Sequence, residues 1–208
     1  MDFAALDSEV QTLDDLGIAD NTIVFYSTDN GPHMNTWPDA AMTPFRNEKN
    51  SGWEGAFRVP AMIRWPGHIP TGTVTDEMIA TYDWMPTLAA LIGESDRMPT
   101  DRPIDGLDMS AFILDQADTT GREHFLYFGT DGELISVKWK TMKVHFRYVE
   151  STSWVAPYIK PQVPMVCDLV SDPHEMIDLM NSDLTFGWVI GAALRPLVAL
   201  NQSAEKYR

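Results

Sequence analysis

Asn21-Thr22-Ile23-Val24-Phe25-Tyr26-Ser27-Thr28-Asp29-Asn30-Gly31-Pro32-His33 is the stretch that decides the fold. Its apolar, β-prone run from Ile23 to Tyr26 predicts a strand buried on both faces, because continuous rather than alternating apolarity marks such strands. The run stops at a polar cluster in which a carboxylate and an amide stand side by side. Upstream, Leu6, Val10, Leu13 and Leu16 lie four, three and three residues apart, one stripe along a helix, and Gly17 reads as the residue just past its C-terminus. Helix, short turn and buried strand is the rhythm of an α/β sheet. In open α/β sheets, ligands bind beyond the carboxyl ends of the strands, where Asp29 and Asn30 sit.

Downstream the periodicity fails. Pro38, Pro44, Asn47, Asn50, Ser51 and Gly52 make residues 36–53 a long irregular loop. Loops of that length in a compact domain are functional or disordered, and Trp37, Phe45 and Trp53 favour an ordered one. Arg58 to Trp65 reads as a second strand closed by Pro66-Gly67. Asp83 is placed to cap a helix running to Ile92, with Pro86 in its first turn and Gly93 as its stop. From about Gly121 the character changes. Phe125 to Phe128, a turn at Asp131-Gly132, Leu134 to Trp139 and Thr141 to Tyr148 read as antiparallel strands, and Cys167 to Val170 as another. Trp188 to Lys206 reads as a helix interrupted near Pro196. The organisation is an α/β portion over residues 1–121 and a small α+β portion over residues 122–208.

Composition narrows the function. The 208 residues are 44% hydrophobic and 22% charged, enough to bury a core. Thirty acidic against fifteen Lys and Arg residues give a formal net charge of −15, which argues against nonspecific nucleic-acid binding and against anionic membrane surfaces. An anion site must therefore rest on local cations such as Arg46, Lys49, Arg58 and Arg64. The single cysteine, Cys167, excludes an intrachain disulfide and reads as a small buried hydrophobe. No apolar stretch approaches membrane-spanning length, since Phe186 to Leu200 contains Arg195 and Pro196, and Met1-Asp2-Phe3 does not open a signal peptide.

The Asp29 carboxylate and the Asn30 carbonyl are hard oxygen donors, suited to Ca²⁺ or Mg²⁺. Asp-Asn-Gly is equally a turn sequence, and two adjacent ligands do not complete a coordination shell. Lys49 is either a solvated surface lysine or a point charge beside a transferring oxyanion group. His33, after Gly31-Pro32, is placed to protonate a leaving group or to line a rim. Glu54 and Arg58, four apart, can pair locally. His68, His124, His145 and His174 have no partners at ligand spacing and read as structural. Nucleophile elbow, phosphate-binding glycine loop, His-Glu-x-x-His and Cys-x-x-Cys motifs are all absent from the sequence.

Taken in order, Asn21 to Val24, Ser27-Thr28-Asp29-Asn30-Gly31, Lys49, Trp53-Glu54-Gly55-Ala56-Phe57-Arg58-Val59-Pro60 and Arg64-Trp65-Pro66-Gly67 resemble the type I, formylglycine-dependent sulfatases, and most closely their arylsulfatase branch within the alkaline-phosphatase-like superfamily. The resemblance continues through Tyr82 to Leu88, Asp105-Gly106, Asp168-Leu169 and Asp172-Pro173-His174-Glu175, nearly the whole chain. It implies a partial alkaline-phosphatase-like sandwich, a mixed sheet flanked by helices, followed by a small α+β subdomain with an antiparallel sheet and a C-terminal helix. It also implies Ca²⁺, with Mg²⁺ less favoured, at Asp29 and Asn30, and a sulfate contact at Lys49. The substrate would be a sulfated small molecule or saccharide, and the family's compartments are periplasmic, secreted or lysosomal.

One departure is large. The family's nucleophile arises from a Cys/Ser-x-Pro/Ala-x-Arg motif whose first residue becomes formylglycine, and Cys167 is followed by Asp168-Leu169-Val170-Ser171. The family's N-terminal aspartate ligands, central histidine and central lysine also match nothing here. The resemblance therefore implies the C-terminal portion of a sulfatase, inactive by itself and open to self-association through uncovered apolar surface. Two readings stay beside it: a phosphate or phosphonate ester hydrolase of the same superfamily, and a noncatalytic glycan-binding remnant using Trp37, Phe45 and Trp53.

Overall fold

The computed structural model describes residues 3–34, 36–151 and 156–206. In chain order the elements are α1 (Phe3–Asp15), β1 (Val24–Ser27), α2 (Glu54–Phe57), β2 (Ala61–Arg64), α3 (Trp84–Leu91), α4 (Ser110–Ile113), β3 (His124–Phe128), β4 (Leu134–Trp139), β5 (Met142–His145), β6 (Met165–Asp168), α5 (Leu179–Ser182) and α6 (Trp188–Lys206). They fall into two compact units, residues 1–28 with 60–122 and residues 29–59 with 123–208. The long loop after β1 thus belongs with the C-terminal residues.

In the first unit, α1 ends in the hydrogen-bond pattern that left-handed glycine permits. Gly17, at φ +66°, donates to the Asp14 carbonyl at 3.1 Å, and Ile18 donates to Leu13 at 3.1 Å. β1 and β2 pair antiparallel, Val24 opposite Arg64 and Ser27 opposite Ala61. This corrects the expectation of a doubly buried strand in a mixed sheet: among the described residues every strand pairing is antiparallel. Phe25 is 39% and Met62 45% exposed. Continuous apolarity over four residues does not distinguish a central strand from a half-covered one.

Asp83 does not cap α3. It is fully buried and accepts from the N–H groups of Ala80 at 2.7 Å and Leu107 at 2.8 Å, while Arg122 Nε reaches its Oδ2 at 2.7 Å and Arg122 Nη2 its Oδ1. The carboxylate is spent on a buried ion pair that ties residue 122 to the start of α3.

In the second unit, β3-β4-β5-β6 form a four-stranded antiparallel sheet in sequence order. Its strands begin and end within a few residues of the stretches read from the sequence, β6 starting two residues earlier. Val137, Val144 and Val166 on one face pack with Met180, Val189 and Ala193 from α5 and α6. α6 runs unbroken through Pro196 rather than being interrupted there. The helical segment Leu184–Lys206, 23 residues, is by length and composition long and apolar enough to cross a membrane. That corrects the reading in which Arg195 and Pro196 ruled out any such stretch. The opposite face of the sheet is covered by residues 46–57.

Candidate functional site

The four residues singled out in the sequence all lie in the second unit, on two segments stitched together by their main chains. Asp29 is exposed and Asn30 half-buried, and Asn30 Nδ2 donates to the Gly31 carbonyl at 2.9 Å. Gly31 N–H donates to Ala56 at 2.8 Å, and Lys49 N–H donates to Pro32 at 2.9 Å. Met34 N–H reaches the Glu48 carboxylate at 2.5 Å. Gly31 is required here, because a Cβ on it would lie 1.8 Å from the Gly55 carbonyl oxygen. The backbone thus joins Asp29-Asn30 and the buried His33 to the loop bearing Lys49, which is half-buried and flanked by Asn47 and Asn50 at φ +62° and +70°. Asn tolerates that left-handed backbone better than other side chains do.

The donor set suits half of a hard-cation site. Asp29 supplies a carboxylate and Asn30 a carbonyl oxygen, whereas Ca²⁺ takes six to eight oxygens. Among the described residues no group of three or more His, Cys, Asp or Glu side chains is arranged to hold a metal.

The loop aromatics separate into different roles. Trp53 is 0% exposed and its Nε1 donates to the Val149 carbonyl at 2.7 Å, so it is core. Phe45 lies under the Arg58 guanidinium at 4.3 Å. Trp37 is 65% exposed, one turn beyond His33, whose carbonyl accepts the Trp37 N–H at 2.9 Å.

Sequence reading missed a buried charged layer beneath this wall. Glu54 Oε1 receives Lys143 Nζ at 2.8 Å and the Tyr127 hydroxyl at 2.8 Å, and Lys138 Nζ stands 3.7 Å from its Oε2. Lys143 also reaches Glu175 Oε1 at 3.1 Å, which is hydrogen-bonded to His145 Nε2 at 2.8 Å. Lys143, His145 and Glu175 are fully buried, and the Lys143 ammonium lies 4.1 Å from the Tyr127 ring centroid.

The electrostatics follow from that packing. Burial by itself raises the Glu54 carboxyl, but the charges of Lys143 and Lys138 and the hydrogen bonds from Lys143 and Tyr127 outweigh it, holding the group down to about 2. Glu175 is lowered in the same way, its burial outweighed by Lys143 and His145. Burial would lower Lys143, yet its two carboxylate partners raise it. Burial lowers His145, against the hydrogen bond with Glu175 Oε1, which raises it. Burial, then the charges of Glu175 and Asp172, pushes the Cys167 thiol up, which makes it inert. The only sequence signals for this layer were the Trp53-Glu54-Gly55 and Asp172-Pro173-His174-Glu175 motifs.

Comparison with known proteins gives mostly sulfatases, with a phosphonate monoester hydrolase of Agrobacterium radiobacter also among the solved structures (TM-score 0.60, 22% identity). The family model described as Sulfatase matches residues 4–94. Arylsulfatase A of Homo sapiens is 31% identical over 213 residues, covering 96% of this chain and 40% of the human protein. N-acetylgalactosamine-6-sulfatase of Sus scrofa is 37% identical over 147 residues, covering 70% of this chain and 27% of the pig protein. Among solved structures, the PsFucS1 sulfatase from Pseudoalteromonas sp. superposes with a TM-score of 0.86 at 27% identity, over 97% of this chain and 41% of that one. The chain therefore spans well under half the length of these relatives.

Proposed function

This chain belongs to the sulfatase family, and from that premise we propose that it is the C-terminal part of an arylsulfatase-like sulfuric ester hydrolase, which converts a sulfate ester and water to an alcohol and sulfate. The observation that supports this reading is the main-chain pairing of Lys49 N–H with the Pro32 carbonyl and of Gly31 N–H with Ala56, which ties the segment bearing Asp29 and Asn30 to the loop bearing Lys49.

In this proposal Asp29 and Asn30 hold a Ca²⁺ ion from one side. When bound, the ion neutralises charge on the ester's nonbridging oxygens. Lys49 does the same with a fixed ammonium, which stabilises charge where it builds up in the transition state. His33 donates a proton to the leaving oxygen. The nucleophile, a formylglycine in this family, has no precursor motif in these 208 residues, so the chain alone does not turn over. Burying the loop's base under Glu54, Lys143 and Glu175 fixes the wall without spending its exposed groups.

A sulfated saccharide is the substrate class we favour. A highly exposed Trp37 beside His33 offers an apolar face to a pyranose ring, and the pig relative is named for a sulfated amino sugar.

The test is binding and turnover on the purified chain. Calorimetry should give a Ca²⁺ dissociation constant of about 1 mM or weaker, since most of the shell is left to water, and Asp29→Ala should abolish the heat. A generic aryl sulfate should not be hydrolysed. Tight Ca²⁺ binding that survives Asp29→Ala, or robust turnover by the chain alone, refutes the assignment.

A further inference from the structure

Both ends of the loop that carries Lys49 are fastened to one residue. At its entry, Arg46 Nη1 donates to the main-chain carbonyl of Glu175 at 2.6 Å. At its exit, Glu54 N–H donates to Glu175 Oε2 at 2.7 Å. The two ends also hold each other: the Arg46 carbonyl accepts from Gly55 N–H at 2.9 Å, and the Arg46 guanidinium lies 3.7 Å over the Trp53 ring.

Glu175 is itself held in a costly backbone conformation. Its φ is +53°, in the left-handed region that residues other than glycine seldom adopt. Glycine would adopt it freely but would supply no carboxylate. That carboxylate is locked in turn, because Oε1 takes both Lys143 Nζ and His145 Nε2. Strain retained where the surroundings over-determine a residue is the pattern of sites that must be held in place.

We propose that Glu175 is a positioning residue for the sulfate site. It closes the loop from Arg46 to Glu54, and so fixes where the Lys49 ammonium stands, while touching neither ester nor cation. The inference rests on Lys49 being the sulfate contact. An electrostatic donor works through placement, and a displacement of about 1 Å can cost on the order of a hundredfold in rate. For ground-state binding of a small anion, about a tenfold loss is expected when the clamp is cut.

The experiment is a titration of the purified, isotope-labelled chain with inorganic sulfate at constant ionic strength, followed by amide shifts of residues 46–56. Five proteins are compared: wild type, Lys49→Ala, Glu175→Gln, Arg46→Met and the double variant Lys49→Ala/Arg46→Met. Arg46→Met cuts the entry end without disturbing the buried charges, so it decides the matter if Glu175→Gln unfolds. The expected result is much weaker but still measurable sulfate binding in Lys49→Ala and about tenfold weaker binding in the two clamp variants, with dispersed spectra retained. Adding Arg46→Met to Lys49→Ala should change nothing further, a non-additivity that general destabilisation would not produce. If the clamp variants bind sulfate like wild type while Lys49→Ala does not, the clamp is refuted and the sulfate assignment stands. If Lys49→Ala binds sulfate like wild type, the sulfate assignment falls and takes the clamp with it.

Discussion

Replacing Lys143 with Met tests the account of the buried layer most directly. Lys143 Nζ lies 2.8 Å from Glu54 and 3.1 Å from Glu175, and all three side chains are essentially inaccessible to solvent. Met fills a similar volume but removes the ammonium shared by two buried carboxylates, leaving Lys138 3.7 Å from one of them. Breaking a buried pair by removing one partner costs about 3–5 kcal/mol, most of it the desolvated charge left behind.

The pH dependence has a definite sign. A carboxyl held from 4.5 down to about 2 contributes about 3 kcal/mol of stability. Because the folded value is depressed, that contribution is fully present above pH 4.5 and is lost as pH falls through about 2. In Lys143→Met the chief attraction is gone and burial dominates, so the Glu54 carboxyl rises and protonation relieves the defect. The cost of the substitution should therefore be largest at pH 7 and shrink steadily towards pH 3.5. Urea unfolding of both proteins at pH 7, 5 and 3.5, read by tryptophan fluorescence, measures it. A cost below about 1 kcal/mol at pH 7, or one that grows on acidification, would show that the layer is not held as an ion cluster.

Other consequences follow from single contacts. Gly31→Ala should destabilise by about 3 kcal/mol in denaturant unfolding, because its Cβ meets a main-chain oxygen that side-chain rotation cannot move. Arg122→Met should cost about 3–5 kcal/mol in the same assay, stranding the fully buried Asp83 carboxylate. Trp37→Ala should leave stability within about 0.5 kcal/mol, as exposed positions do, yet weaken binding of a sulfated monosaccharide and not of inorganic sulfate. Exposed Phe25, Met62, Leu16 and Ile18 in the first unit predict concentration-dependent self-association, which light scattering would contradict by finding a monodisperse monomer.

What the sequence made legible follows from how local each signal is. The helix ending at Gly17 and the one ending before Gly93 were readable because left-handed glycine carries its own geometry, and both glycines have positive φ. The strands of the C-terminal sheet were readable from β-prone runs bounded by turns. The Asp29-Asn30 and Lys49 segments were readable as motifs, but their union was not. It is made by main-chain bonds across residues 31–56 that leave no residue preference beyond Gly31 and Gly55.

The charged layer beneath them was illegible for a different reason. Met142-Lys143-Val144-His145 alternates, and alternation normally sends the charged face to solvent. Here Val144 meets α6 and Lys143 meets Glu54, because an irregular segment rather than water covers that side of the sheet. A strand pattern reports which residues share a face, never what lies over it. The cover is supplied by residues whose partners are some 90 to 120 positions away, Glu54 with Lys143 and Glu175. Each acidic or basic residue alone looked like a surface charge in a strongly acidic chain; only their mutual neutralisation permits burial. That interdependence is why the loop around Lys49, lacking any regular structure, can still be held firmly: its anchors are charges that cannot leave the interior singly without stranding a partner.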